Sequence, residues 1–164
     1  MVLAAFLFMR RMSEVTNVSA ITAQLSDEAS KGGTSAATLE GVQIYTIDGP
    51  FFFGAADKFK EVLGRISSPP RVLILDLANV PAIDSTGMAA LRDVIRKAHR
   101  DRTRVILVGV HAQPMVALGR TELLDVVGDE NLFGTVQEAL AALQDDRAEE
   151  ARQTTIANPG GGGS

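Results

Sequence analysis

The chain has no cysteine among its 164 residues. That excludes a disulfide framework, a thiolate metal site and a thiol nucleophile, and it fits a cytoplasmic setting. Positive charge is in deficit: 16 Lys and Arg stand against 20 Asp and Glu, a formal net charge of -4. The chain therefore presents no broad positive field for nucleic acid, and no nucleic-acid partner is expected. Aromatic residues are few and histidines number two. Neither histidine has a second ligand at metal spacing, so no metal and no cofactor is expected. No apolar run approaches the about 20 residues that a membrane-crossing helix needs. The signatures GxxxxGK[ST], HExxH, GxSxG and GxGxxG are also missing, so an enzyme is not expected.

What is present centres on Val72 to Lys97, VLILDLANVPAIDSTGMAALRDVIRK. Val72 to Leu77 is an apolar and β-branched run interrupted only by Asp76, the pattern of a strand buried on both faces. Pro81 halts regular structure. Asp84 and Ser85 then stand at an N-cap position before Met88, Leu91 and Ile95, which recur at helical spacing. The unpaired N–H groups and positive dipole end of such a helix start favour an anionic group. A phosphate on Ser85 would be well placed, and a cap role for Ser85 is the competing reading. Asp76 and Asp84 flank one loop, and caps and loop hydrogen bonds are the preferred reading over an acid/base pair or a magnesium site.

In chain order, Val2 to Met9 is an apolar run that meets Arg10 and Arg11 at once. It has the character of the cytoplasmic end of a transmembrane helix, so residues 1–12 are expected to be a juxtamembrane stub. Residues 13–39, rich in Ser, Thr, Ala and Gly, read as linker. Val42 to Ile47 alternates like a half-buried strand, and Phe51 to Phe53 reads as a short aromatic strand ending at Gly54. Ala55 to Ile66 carries Phe59, Val62, Leu63 and Ile66 on one stripe of an amphipathic helix. The central helix ends in the basic run RKAHRDRTR, read mainly as solvated surface, with an acidic partner as the alternative. Val105 to Val110 is a second buried strand, completing a βαβ unit. Gly109 and His111 fall at its carboxyl end, the sheet edge where ligands tend to bind. Gln113 to Leu118 is a short helix, the apolar part of Gly119 to Gly128 is strand or loop, and Thr135 to Leu143 is a last helix. Residues 145–164 read as a flexible tail whose PGGGGS end resembles a fusion linker.

A buried strand, a loop, then Asp84-Ser85-Thr86-Gly87 and an amphipathic helix resembles the STAS domain, shared by anti-sigma factor antagonists and SulP anion permeases. The apolar stub and LFMRRMSEVT are similar to the junction between the last membrane helix and the STAS domain of a permease. The resemblance implies an α/β, STAS-type fold over residues 40–144, a mixed sheet of about four or five strands with a parallel βαβ core and about four helices. It further implies the cytoplasmic C-terminal regulatory and protein-interaction domain of a sulfate or anion transporter, at the cytoplasmic face of the inner membrane. Implied partners are the membrane domain of the same permease, a cytoplasmic regulatory protein or serine kinase, and a second copy through the full-length transporter. Ser85, with Thr86 beside it, matches the hydroxyl that a kinase phosphorylates in the antagonists. The expected interaction site is Asp76, Asp84, Ser85, Thr86, Gly87, Met88 and His111. Two alternatives stay open: a free-standing antagonist phosphorylated at Ser85, and a regulatory module with weak nucleotide binding, for which no motif stands in the chain.

Overall fold

Three apolar strands in parallel register form the centre of the structure, a computed structural model that describes residues 17–20, 41–64 and 68–157. They are β2 (Val42–Asp48), β3 (Val72–Asn79) and β4 (Arg104–Val108). Val42 pairs with Val72, and Val72 with Arg104, so the strands start level and run together. Two short edge strands flank them, β1 (Asn17–Ala20), antiparallel to β2, and β5 (Leu132–Phe133), parallel to β4. The sheet has five strands and is mixed, as the STAS-type expectation has it, and its order is β1-β2-β3-β4-β5.

Because side chains alternate across a strand, the central strands divide their residues between two cores. Tyr45, Ile47, Leu73, Leu75, Leu77, Val105 and Leu107 pack under helices α1 (Phe53–Gly64), α2 (Ser85–Arg100), α3 (Ala112–Gly119) and α4 (Leu123–Val127). Val42, Ile44, Val72, Ile74, Ile106 and Val108 lie on the opposite face, covered by Ala139 and Leu143 of α5 (Val136–Ala157). Burial on both faces explains why β3 and β4 read as unbroken apolar runs. In the larger core, the rings of Phe51 and Phe59 meet edge to face, 5.2 Å apart, an arrangement worth about 1 kcal/mol beyond area burial.

Four expectations need correction. Asn17–Ala20 is an edge strand inside the stretch read as linker, because its backbone finds β2 as a partner. Phe51 to Phe53 is not a strand: Phe51 forms one bridge to Ile83, and Phe53 already begins α1. The ambiguous apolar segment is helix α4. Beyond Gln144 the chain stays helical to Ala157, since its Glu, Ala, Arg and Gln are good helix formers without an apolar stripe. The juxtamembrane stub, most of the linker, Ile66 and the glycine-rich end lie outside the described residues.

Candidate functional site

The loop from Val80 to Asp84 carries the chain from β3 into α2, and its backbone is fixed from two sides. On one side the Phe51 N–H donates to the Ala82 carbonyl at 2.9 Å, and the Asp84 N–H reaches the Phe51 carbonyl at 3.4 Å. On the other, the Gln113 amide accepts from the Ile83 N–H at 2.9 Å and donates to the Ile83 carbonyl at 3.1 Å. One side chain of α3 thus satisfies both backbone groups of one loop residue. Nothing in the local sequence signals this pairing, which joins positions 30 apart.

Helix α2 then starts as its residues dictate. Asp84 is extended and its carboxylate accepts from the Gly87 N–H at 2.8 Å, so Asp84 is the N-cap and Ser85 the first helical residue. That frees the Ser85 hydroxyl from capping, and Ser85 is exposed. Thr86 is half-buried, while Gly87 and Met88 turn inward. Gly87 is there for space: a Cβ at that position would stand 2.2 Å from the Phe51 carbonyl oxygen and 2.8 Å from Ile83 Cγ1. The four residues of the motif therefore divide the work into a cap, an exposed hydroxyl, a spacer and a close approach.

The remaining candidates sit at the same sheet edge with other partners. The Asp76 carboxylate accepts from the Ala78 N–H at 3.0 Å and is 3.5 Å from the Thr46 hydroxyl. It lies on the α5 face of the sheet, in the wall of a cavity of about 350 Å³ that the start of α5 also lines. Asp76 and Asp84 thus accept from separate N–H groups. His111 Nε2 is 2.6 Å from the Ala78 carbonyl, and since that oxygen only accepts, the proton sits on Nε2. Next to it Gly109 takes φ 66°, with Ala78 so close that a Cβ would stand 2.6 Å from its methyl. Among the described residues no cluster of three His, Asp or Glu side chains is placed to hold a metal ion. No buried side-chain polar atom lacks a partner there. No described helix is long and apolar enough to cross a membrane.

The fold and this edge define an α/β domain that offers a capped helix start and an exposed hydroxyl. The chain belongs to the STAS domain family, whose profile matches residues 34–139. Among solved structures, it is 34% identical to the STAS domain of a SulP transporter from Vibrio cholerae, with a TM-score of 0.60, covering 77% of this chain and 98% of that one. It is 41% identical to a sulfate transporter family protein from Wolinella succinogenes, with a TM-score of 0.59 over 63% of this chain and 85% of that one. A putative sulfate transporter of Bacillus subtilis, YvdB, is 28% identical over 139 residues, or 81% of this chain and 24% of the relative. The chain thus spans about a quarter of that transporter's length. An anti-sigma factor antagonist from Mycobacterium paratuberculosis, 21% identical with a TM-score of 0.54 over 64% of this chain and 87% of that one, shares the fold.

Proposed function

We propose that this chain is the cytoplasmic, C-terminal regulatory and protein-interaction domain of a SulP-type sulfate or anion transporter. It carries out no chemistry of its own, and it acts by docking through the start of α2. The observation that carries this reading is the match of 34% identity over 98% of a solved SulP STAS domain. Its partner is first of all the membrane portion of the same transporter, which places the domain at the cytoplasmic face of the inner membrane.

Regulation, in this reading, falls on Ser85. Its hydroxyl is exposed at the first helical position, beside an aspartate whose carboxylate is already engaged with the Gly87 N–H. A phosphate there would add about -1.5 to -2 charge. The helix dipole favours that charge and Asp84 opposes it, so the fold of α2 is little disturbed while the head of its contact surface gains negative charge. Docking that accepts a neutral hydroxyl is then weakened. In the full-length transporter, Ser85→Asp is expected to lower membrane-domain binding and alter anion uptake, and Ser85→Ala to hold the wild-type level. Identical uptake and binding in all three would remove Ser85 as a switch. Fractionated native cells probed with an antibody to residues 41–144 test the assignment itself. A membrane band well above 17.4 kDa supports it, and a soluble band near that mass would replace it with a free-standing antagonist.

A further inference from the structure

We infer that the outward face of α2 is a docking stripe for a carboxylate-rich segment of a partner protein. This rests on the reading above that α2 is the contact surface, and it names the chemistry of what is contacted. Ser85, Arg92, Arg96 and Arg100 recur at helical spacing along one line of the helix, roughly a third of a turn round from the buried line of Met88, Leu91, Ile95 and Ala98. Arg102, in the turn that follows, extends the line. Between Arg92 and Arg104 the chain carries six basic and two acidic side chains, although its net charge is -4.

The two acids of that segment are already occupied. Asp93 takes the Lys60 ammonium at 2.6 Å, which ties α2 to α1, and Asp101 takes Lys97 at 2.9 Å. Arg104 is held by Asp146 and Asn131. Arg92, Arg96, Arg100 and Arg102 form no ion pair with any described residue. Arg96, Arg100 and Arg102 are exposed and Arg92 is half-buried. Guanidinium groups present a planar fork of donors matched to carboxylates, and this helix aligns three of them over part of its length of about 24 Å.

The surroundings decide between a protein segment and an anionic membrane. Helix α4, which packs beside α2, and the turn after it carry exposed Glu122, Asp125, Asp129 and Glu130. On the α1 side Asp57 and Glu61 offset Lys58 and Lys60. A flat lipid surface pressed on this layer would meet those four acids together with the arginines. A narrow acidic helix or strand lying along α2 meets the arginines and, of the acids, only Asp93 and Asp101, both already paired with lysines. The bordering acids also hold such a segment in line, since they repel it from the flank.

The test is titration of the whole chain with a fluorescein-labelled dodeca-glutamate peptide at low salt, alongside phosphatidylglycerol vesicles. Saturable peptide binding is expected, with backbone amide shifts confined to α2 and the turn at Arg102. Reversing Arg92 and Arg96 together to Glu should weaken it about tenfold, given the size of surface charge pairs. Lys58→Glu, which changes net charge on the neighbouring helix, should alter it less than about twofold. The inference falls if no saturable binding occurs, if Lys58→Glu weakens binding as much as the arginine reversals, or if the arginines govern vesicle binding instead. Ser85→Asp separates the two proposals. If it leaves both peptide binding and transport unchanged while the arginine reversals weaken peptide binding, the stripe stands and the switch at its head is lost. If the arginine reversals have no effect while Ser85→Asp alters transport, the switch stands and the stripe is lost.

Discussion

Replacing Gly87 by Ala sets two effects of opposite sign against each other, and the structure says which is larger. Helix propensity alone predicts stabilisation by about 1 kcal/mol, because Gly87 lies inside α2. The added methyl, however, would stand 2.2 Å from the Phe51 carbonyl oxygen, 2.8 Å from Ile83 Cγ1 and 3.0 Å from Phe51 Cδ1. The nearest atom is backbone, so a side-chain rotation cannot relieve it. Overpacking of this kind costs about 1–3 kcal/mol. Moving Phe51 away also stretches its 2.9 Å bond to the Ala82 carbonyl, at about 1 kcal/mol. The expected net loss is about 2 kcal/mol, near 10 °C in Tm for a domain of this size. Urea unfolding followed by circular dichroism measures it, with Gly64→Ala as the control, since no described atom lies within 4 Å of a Cβ at Gly64. A Gly87→Ala protein as stable as the wild type, or more so, would refute the close-approach reading of the motif's glycine.

Two further outcomes follow from the same geometry. Gln113→Ala removes both hydrogen bonds to Ile83 and is expected to cost about 1–2 kcal/mol. Amide exchange at Ile83 should quicken more than exchange in β3, and equal protection at both would show that the Phe51 bridge suffices. Burial raises the Tyr45 phenol above its usual 10.0, because desolvation penalises the phenolate. A raised folded value means that this contribution to stability is whole below the unfolded value and is lost as pH rises through the folded one. Tyr45→Phe should therefore flatten the alkaline loss of stability. Tyr45 is the single tyrosine, so the phenolate absorbance of the native protein reports its titration directly.

Legibility in the sequence followed how local each determinant is. β3 and α2 were readable because burial on two faces and helical period are written into adjacent residues, while position alone left the cap between Asp84 and Ser85, and the structure gives it to Asp84. The parallel pair of β3 and β4 is legible in the same way, whereas Val42 to Ile47 alternates like a half-buried strand and is in fact buried on both faces. What escaped depends on distant partners. Asn17–Ala20 has no period of its own and becomes a strand only by pairing with β2. Leu123–Val127 is too short to separate a 3.6-residue period from alternation. Phe51 meets the loop before α2 through one isolated bridge, with Ile83, which no window around Phe51 contains. Gln113 is only the start of a short helix in the sequence and becomes a clamp in the fold. The site itself was legible as a helix start, and the division of labour among Asp84, Ser85, Thr86 and Gly87 was not.

Helix α5 is the sole described cover of one whole face of the sheet, and it follows every strand in chain order. On the ribosome, β2, β3 and β4 can align and take α1 and α2 while Val42, Ile44, Val72, Ile74, Ile106 and Val108 still face water. The nascent domain thus carries an adhesive side until Ala139 and Leu143 emerge and close it. A chain stopped short of α5 would be an aggregation hazard more than a smaller domain. Synthesis of this one helix is therefore the step at which the domain becomes safe to release.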